Sequence, residues 1–273
     1  MSDGRGDDGR PARGSASPRP APRLRADELL VARGLAPSRA RAQALIMAGE
    51  VSEGGRRVDK PGALLPAAAE LSLAERPRFV SRGGDKLDHA LTAFAGLGIE
   101  VRGRVCLDVG ASTGGFTDCL LQRGAARVIA VDVGYGQLAQ KLRDDARVDV
   151  RERVNARDLD PKDLDPRPDL VVVDASFIGI GKLIGAIARV LLPGGELVAL
   201  VKPQFEAGRE AASRGRGVIR DAATRLSAIS EARGAITSAG FTILSEEDSA
   251  VHGPKGNVER FVYARRLSDP TAP

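Results

Sequence analysis

The sequence of 273 residues has few of the residues that build several common sites and scaffolds. It contains no tryptophan, only 3% aromatic residues, two cysteines and two histidines. Two cysteines cannot form a disulfide framework, and two histidines are too few for a typical zinc site, so no metal site is predicted. There is no run of about 18 apolar residues and no apolar segment of a secretory signal at the amino terminus. These absences predict a cytoplasmic protein, without a membrane partner, whose core consists of Val, Leu, Ile and Ala.

Positive charge is concentrated at the start of the chain. The chain carries 41 Lys and Arg against 36 Asp and Glu, and 34 of the basic residues are arginine. Of the net charge of +5, the first 78 residues hold +4, with 14 basic and 10 acidic residues. The asymmetry indicates a front end that meets a polyanion such as nucleic acid. An uneven spread of solvated surface charge would give the same count, so the charge alone leaves both interpretations open.

Composition divides the chain into four segments. Residues 1–22 are rich in Gly, Pro, Ser and Arg without apolar periodicity, which predicts a disordered tail. Residues 23–74 are predicted to form a small α+β domain of two short helices followed by strands and glycine-containing turns. Residues 75–81 form a predicted linker in which Pro77 prevents a helix from continuing. Residues 82–268 are predicted to fold as a second, larger domain.

Apolar runs of strand length alternate with helical segments in the larger domain. The predicted strands are residues 105–109, 128–133, 148–154, 170–173, 197–201, 241–244 and 260–264. The predicted helices between them include residues 116–123, 138–143, 182–192 and 222–238. This alternation is typical of an α/β, Rossmann-like fold with a mostly parallel, doubly wound sheet. The loop at 253–256 contains Gly and Pro, which predicts that the last two of the seven strands form an antiparallel hairpin.

A glycine-containing loop follows the first predicted strand and opens a helix. The loop reads Asp108-Val-Gly-Ala-Ser-Thr-Gly-Gly-Phe116, and its glycines would allow the backbone to approach a ligand closely. Asp132 stands 22 residues after Gly110, at the end of the second strand. A carboxylate in that position can accept hydrogen bonds from ribose hydroxyls, so the pattern favours a cofactor that contains ribose.

The loop differs from the fingerprint of a nicotinamide cofactor. Ser112 occupies the second glycine position of G-x-G-x-x-G, and Asp108 lies two residues before Gly110. A carboxylate there suits S-adenosylmethionine, which carries cationic amino and sulfonium groups and no pyrophosphate. S-adenosylmethionine is therefore the predicted cofactor, and a nicotinamide cofactor is the minor alternative. The residues predicted to bind it are Asp108, Gly110, Ala111, Ser112, Gly114, Gly115, Phe116 and Asp132.

Polar residues also follow later strands of the predicted sheet. Asp174 follows the fourth strand, Lys202 follows the fifth, and the segment 253–259 leads into the last. A helix cap would explain Asp174 alone, and a surface charge would explain Lys202 alone. Because the carboxyl ends of parallel strands meet at one edge of a sheet, these residues and the glycine loop together predict a ligand site there.

Two resemblances extend this interpretation. The segment 25–51 resembles the RNA-binding domain shared by a small-subunit ribosomal protein and many pseudouridine synthases, which implies docking to structured RNA. Arg33, Arg39 and Arg41 are the residues predicted to contact RNA, because a basic helix start presents guanidinium groups and free backbone N–H groups together. Ordinary surface arginines of a small domain are the alternative.

The larger domain resembles the FtsJ-like ribose methyltransferases. The motifs that carry the resemblance are residues 81–87, 108–116, 173–178, 201–206 and 253–259. With all five motifs in this order, the chain from residue 24 to residue 267 resembles the TlyA family of RNA 2′-O-methyltransferases. The resemblance implies a tetrad, with Lys202 as base, Lys86 near the phosphate, Asp174 beside Lys202 and Glu259 orienting the ribose or a lysine. It also implies that Asn155 contacts the adenine.

The same resemblance implies what the protein acts on. The expected partner is ribosomal RNA or a ribosomal subunit, with cytidine as the methylated nucleoside and no obligate protein partner evident. Two alternatives remain open. One is an RNA- or ribosome-binding assembly factor with a vestigial cofactor site. The other is a membrane-active hemolysin, since members of this family have carried that label.

Overall fold

The chain forms two compact units that divide between Arg76 and Pro77. The computed structural model describes residues 22–74, 77–207, 218–253 and 255–268. The predicted tail, apart from Pro22, lies outside the described residues, as do residues 75–76 of the predicted linker. In the part of the chain that the structure describes, no helix is long and apolar enough to cross a membrane.

The first unit joins two short helices to two small antiparallel sheets. Its elements are β1 (Arg23–Arg25), α1 (Ala26–Ala32), α2 (Arg39–Met47), β2 (Val51–Glu53), β3 (Arg56–Arg57), β4 (Leu64–Pro66) and β5 (Leu71–Leu73). Strand β1 pairs with β4, and β2 lies between β3 and β5. Helix α2 begins where the Ser38 hydroxyl accepts the Arg41 N–H at 3.2 Å, which is an ordinary N-cap. The small α+β architecture predicted for this segment is confirmed.

A buried carboxylate connects the two helices of the first unit. Asp27 on α1 is fully buried and accepts hydrogen bonds from Arg25, from Arg39 at 3.0 Å and from Gln43 at 2.9 Å. The Arg25 guanidinium, followed by Gln43 and Arg39, holds the pKa of Asp27 well below its usual range. Because Arg39 and Gln43 belong to α2, this carboxylate fixes α2 against α1.

The second unit is built around one seven-stranded sheet. Its strands are β6 (Val105–Val109), β7 (Arg127–Asp132), β8 (Val148–Glu152), β9 (Leu170–Val173), β10 (Glu196–Val201), β11 (Phe241–Asp248) and β12 (Arg260–Arg266). Its α-helices within the described residues are α3 (Arg82–Ala93), α4 (Gly115–Gln122), α5 (Gln140–Arg143), α6 (Ile184–Val190), α7 (Pro203–Glu206) and α8 (Ala222–Ser238). The predicted α/β, Rossmann-like class is confirmed.

The strand order places β9 at the centre of the sheet, next to β6, the earliest of the seven strands. The order is β11-β12-β10-β9-β6-β7-β8, and the pairs from β10 to β8 are all parallel. Strand β12 runs antiparallel to both β10 and β11, as the predicted hairpin requires. The carboxyl ends of the five parallel strands therefore meet at one edge. The order in which strands are added to the sheet reverses there, between β6 and β9.

Successive residues of the strands point to opposite faces of the sheet, and helices cover both faces. Leu170 and Val172 pack with Leu87 of α3 and Leu120 of α4 on one face. On the other face, strand residues pack with α6 and with Ile229 and other residues of α8. Alternate residues of each strand thus belong to the cores on opposite faces, which is the period of two expected for strands in a sheet buried on both sides.

Part of the predicted linker packs inside the second unit. Phe79 is only 2% exposed, and a Cβ atom on Gly84 of α3 would lie 2.2 Å from its ring. The next residue, Val80, donates its N–H to the Asp118 carboxylate on α4 at 2.9 Å. Residues 77–81 therefore belong to the packing of the second unit and hold the start of α3 in place.

Replacing Asp27 by Asn tests the carboxylate that connects α1 and α2. The variant keeps the side-chain shape but loses charged hydrogen bonds to Arg25 and Arg39, so we expect the first unit to lose about 1–3 kcal/mol of unfolding free energy. Amide hydrogen exchange of the full chain, read over residues 26–47, measures this loss.

Glu28→Gln is the matched control, because Glu28 contacts the same two arginines at 3.9 and 3.5 Å but is half exposed. An exposed pair of this kind contributes about 1 kcal/mol or less, so the control should change exchange little. Equal protection in the wild type and in Asp27→Asn would contradict the prediction.

Candidate functional site

Two adjoining cavities lie at the edge where the parallel strands end. Their volumes are about 310 Å³ and about 290 Å³. Gly110 and Ser112 of the glycine loop and Asp174 and Ser176 after β9 line both cavities. The two spaces are therefore neighbours that share one wall, as a reaction between two bound molecules requires.

The first cavity contains the end of β7 and the turn after β8. Asp132, Val133 and Gly134 line it, together with Val154 and Asn155. The Asn155 side chain also accepts the Arg157 N–H at 3.2 Å and so begins a short 3₁₀ helix, Ala156–Asp158. Among the predicted cofactor residues, Gly110, Ser112, Asp132 and Asn155 are brought together here.

Asp132 fixes the shape of the first cavity. Its Oδ2 accepts the Ser112 N–H at 2.8 Å, and its Oδ1 accepts the Gly134 N–H at 2.7 Å. Each carboxylate oxygen has a second lone pair, so the same group can still accept ligand hydroxyls. Ser112 has a φ of 48°, a left-handed conformation that non-glycine residues adopt rarely and that this contact helps to hold.

The glycines of the loop serve different purposes. Gly110 has a φ of 87°, and a Cβ there would lie 2.8 Å from the Asp174 carbonyl oxygen. Gly114 packs beneath the loop, where a Cβ would lie 2.2 Å from Leu142. Gly115, together with Ala111 and Phe116, lines the second cavity. The predicted cofactor glycines therefore divide between ligand-facing positions and close packing of the chain.

Asp108 lies behind the glycine loop, without solvent exposure. Its Oδ2 accepts the Thr117 hydroxyl of α4 at 2.6 Å, and its Oδ1 has no hydrogen-bond partner among the described residues. Burial, with smaller contributions from the charges of Asp174 and Asp132, raises the pKa of Asp108 to about 7. The structure thus places this predicted cofactor residue where it supports the loop and the start of α4.

The four residues of the predicted tetrad line the second cavity. Lys86 donates from Nζ to Glu259 Oε2 at 2.6 Å, and both side chains are buried. Lys202 lies with Nζ 2.6 Å from Asp174 Oδ1 and donates to the Ser176 hydroxyl at 2.9 Å. Each lysine is therefore paired with one carboxylate of the set.

The site also contains residues for which the sequence predicts no role. Ser81, Arg82 and His252 line the second cavity, and Arg82 and His252 are exposed. Phe177, which lines the first cavity, is 90% exposed with a φ of 68°. The sequence shows an aromatic residue three positions after Asp174, but it does not show that this side chain is exposed. The exposure depends on the left-handed conformation of Phe177, and no glycine at that position indicates such a turn.

The predicted RNA-binding arginines lie in the first unit in three different environments. Arg33 donates to the Ala67 carbonyl at 2.7 Å, and Arg39 donates to Asp27 at 3.0 Å. Arg41 is exposed, and its guanidinium has no hydrogen-bond partner within residues 22–74. Across the described ranges, no group of three or more His, Cys, Asp and Glu side chains could hold a metal ion.

The raised pKa of Asp108 predicts a pH dependence of stability. Between the ordinary aspartate pKa of about 3.9 and about 7, the native state binds a proton that the unfolded chain does not. The free energy of unfolding therefore falls as the pH rises through this window. We expect Asp108→Asn, which cannot ionise, to gain thermal stability relative to the wild type between pH 5 and pH 8, measured by circular dichroism.

Asp145→Asn is the control for this comparison, because the Arg147 guanidinium lowers the pKa of the Asp145 carboxyl to about 2. Its difference from the wild type should stay constant between pH 5 and pH 8. A constant difference for Asp108→Asn as well would contradict the prediction.

Comparison with known proteins agrees with this architecture. Residues 79–266 match the family model of the FtsJ-like methyltransferases, and residues 24–71 match that of the S4 domain. The 16S/23S rRNA (cytidine-2′-O)-methyltransferase TlyA of Mycobacterium tuberculosis is 45% identical over 250 residues, which cover 90% of this chain and 91% of that protein.

Two further relatives carry a different name. Hemolysin A of Brachyspira hyodysenteriae is 40% identical over 241 residues, covering 88% of this chain and 99% of that protein. A solved structure described as a candidate hemolysin from Streptococcus thermophilus has 40% identity and a TM-score of 0.69, covering 92% of this chain and 91% of that one. The chain belongs to the TlyA family of FtsJ-like methyltransferases, whose methyltransferase domain follows an S4 domain.

Proposed function

We propose that this protein transfers the methyl group of S-adenosylmethionine to a ribose 2′-hydroxyl of cytidine in ribosomal RNA, in the cytoplasm. The observation that carries the proposal is the pairing of Lys86 with Glu259 and of Lys202 with Asp174 in a cavity that shares a wall with a second, ligand-sized one. One cavity would hold the cofactor and the other the nucleotide.

The first cavity suits S-adenosylmethionine. The Asp132 carboxylate would accept the ribose hydroxyls, and the side chain of Asn155 lies on the same wall for the adenine. The close approach of Gly110 to the Asp174 carbonyl leaves no room for a side chain between the two cavities. When bound, the cofactor supplies an electrophilic methyl group on a sulfonium.

We propose that Lys202, after its ammonium group has released a proton to solvent, accepts the proton of the 2′-hydroxyl as the neutral amine. The Asp174 carboxylate, 2.6 Å from Nζ, would stabilise the ammonium group that forms. The Ser176 hydroxyl at 2.9 Å fixes the direction of the amine. Displacement at a methyl group requires in-line alignment, so holding these atoms in place contributes directly to the rate.

Lys86 and Glu259 have a positioning role in this proposal. The Glu259 carboxylate holds Lys86 at the wall of the nucleotide cavity, where the ammonium faces the space that a ribose and its phosphate would fill. Arg82 and His252 at the same cavity add donors for phosphate oxygens.

The RNA assignment is supported by the S4 domain and by the relatives. The M. tuberculosis relative is named as acting on cytidine in 16S and 23S rRNA. Residues 24–71 match the S4 domain, and Arg41 in that unit offers an exposed guanidinium for phosphate. The predicted ribosomal substrate and the choice of cytidine remain part of this proposal.

Replacing Lys202 by Ala tests the proposed base. We expect transfer of tritium from S-adenosylmethionine to ribosomal subunits to fall by about 10²–10⁴-fold, the usual contribution of general base catalysis. Calorimetry should show nearly unchanged cofactor affinity, because the cofactor cavity is formed by other residues. Lys182→Ala, which removes an exposed lysine of the same domain, is the control.

Wild-type rates for Lys202→Ala would contradict the proposed base. Wild-type protein that neither binds S-adenosylmethionine nor transfers methyl groups would instead favour an assembly factor with a vestigial site. Mapping 2′-O-methyl groups in the product RNA tests the choice of cytidine, which a modified purine or uridine would refute.

Replacing Arg41 by Ala tests the proposed RNA contact of the S4 domain. If Arg41 neutralises one phosphate, its removal should reduce the slope of log affinity against log salt by about 1, with weaker binding at low salt. Filter binding of ribosomal RNA between 50 and 300 mM salt measures the slope. Arg147→Ala, which removes an arginine already paired with Asp145, should leave the slope unchanged.

A further inference from the structure

Among the described residues, the segments that follow β9 and β10 are joined at three places. The first is the contact of Lys202 with Asp174 and Ser176. The second is a contact between the rings of Phe177 and Phe205, whose centroids are 5.5 Å apart at an interplanar angle of 47°. The third is formed by the carboxylate of Glu206, a charged side chain that has no role in the proposed chemistry.

Glu206 is the last residue of α7 and reaches across to the segment after β9. Its Oε1 accepts the Ile180 N–H at 2.9 Å. Its Oε2 lies against Gly179, where a Cβ would approach it to 2.5 Å. The carboxylate therefore contacts the loop backbone at two consecutive residues, just beyond Phe177.

The environment of Glu206 is unfavourable for a carboxylate. The side chain is half-buried, and it lines, with Lys202 and apolar residues such as Ile178 and Leu200, a cavity of only about 10 Å³. Burial, and to a lesser degree the Glu231 carboxylate, raises the pKa of Glu206. Within the described ranges no lysine or arginine pairs with it, and the hydrogen bond from the Ile180 N–H is what compensates for its burial there.

The loop that Glu206 contacts needs such a restraint. Phe177 adopts a left-handed φ of 68° although it is not glycine, and its side chain is almost fully exposed. A strained conformation of this kind persists only where the surroundings hold it. Asp174 and Ser176 of the same loop line both cavities, so a shift of the loop would change the wall between cofactor and nucleotide.

We propose that Glu206 is a positioning residue, which holds the loop 174–180 in the conformation required for methyl transfer by accepting the Ile180 N–H. The part of this proposal that concerns activity rests on the proposed function. The part that concerns the loop does not, and it can be measured without any methyl transfer.

Two substitutions separate the hydrogen bond from the volume of the side chain. Glu206→Gln keeps an oxygen that can accept the Ile180 N–H, whereas Glu206→Leu keeps a similar volume without any acceptor. We expect Glu206→Leu to lower the single-turnover rate of methyl transfer by about 10–100-fold, since small misplacements at a reacting centre cost that much. Glu206→Gln should stay within about 3-fold of the wild type, which is rescue by the conservative variant.

A third substitution tests the same contact from the loop side. Gly179 has a φ of −75°, a conformation that alanine also adopts, so Gly179→Ala brings no backbone strain. Its Cβ would instead displace the Glu206 carboxylate. We expect the effect of Gly179→Ala to resemble that of Glu206→Leu, and the two effects to be far from additive in the double variant.

The loop itself can be observed by fluorescence. The chain contains no tryptophan, so Phe177→Trp introduces a single reporter at the loop. We expect time-resolved anisotropy to show a larger fast component when Glu206→Leu or Gly179→Ala is added to this variant. Adding Glu206→Gln should leave the decay unchanged, and circular dichroism checks that each variant is folded.

The outcomes distinguish the two proposals. If the anisotropy decay is the same in all folded backgrounds, Glu206 does not hold the loop and the inference is wrong. If the decay changes as expected while the wild type fails to methylate ribosomal RNA, the loop contact stands and the proposed function fails. If Glu206→Leu does not fold, Gly179→Ala and Glu206→Gln provide the same comparison.

Discussion

The pair formed by Lys86 and Glu259 is the contact on which the cleft depends. Lys86 lies on the first helix of the second unit, and Glu259 immediately precedes its last strand, so the bond joins residues 173 positions apart. Two buried charges are costly to desolvate, and removing one partner of such a pair commonly costs about 3–5 kcal/mol because the other charge is left buried. The two ends of the unit therefore have to meet before the second cavity exists.

Different kinds of groups form the two cavities of the site. Backbone N–H groups and the Asp132 carboxylate shape the first cavity, and they do so through left-handed turns at Gly110 and Ser112. Side chains shape the second cavity, where each lysine of the tetrad has its own carboxylate. Arg82 and His252 also line this cavity, and Arg82 adds a positive charge that no carboxylate of the described residues pairs.

Much of this arrangement could be predicted from the sequence, and the exceptions have identifiable causes. Strands β6 and β9 were predicted with their observed ends, because parallel strands buried on both faces are mostly apolar. Strand β11 continues from residue 244 to Asp248, beyond its predicted end. It is an edge strand, and its last charged residues pair with Arg225, Arg233 and Arg260, so apolar patterning cannot show them.

The candidate site was predicted less completely than the fold. The glycine loop, Asp174 and Lys202 were visible because they follow strand signals, whereas Lys86 and Glu259 were identified only through the family resemblance. The burial of Asp108 and the involvement of Arg39 with Asp27 depend on tertiary contacts, which no spacing in the sequence encodes. Glu206 was part of a motif from the start, but its contact with Ile180 joins two loops whose approach only the folded sheet determines.

The position of β12 determines when the set of four tetrad residues is completed as the chain is synthesised. This strand is the last along the chain, yet it lies between β10 and β11, and Glu259 arrives with it. During vectorial synthesis the glycine loop, Asp174 and Lys202 emerge long before the residue that completes the tetrad. All residues that line the first cavity therefore precede β12 along the chain, whereas the set of four is complete only when β12 has been inserted into the sheet.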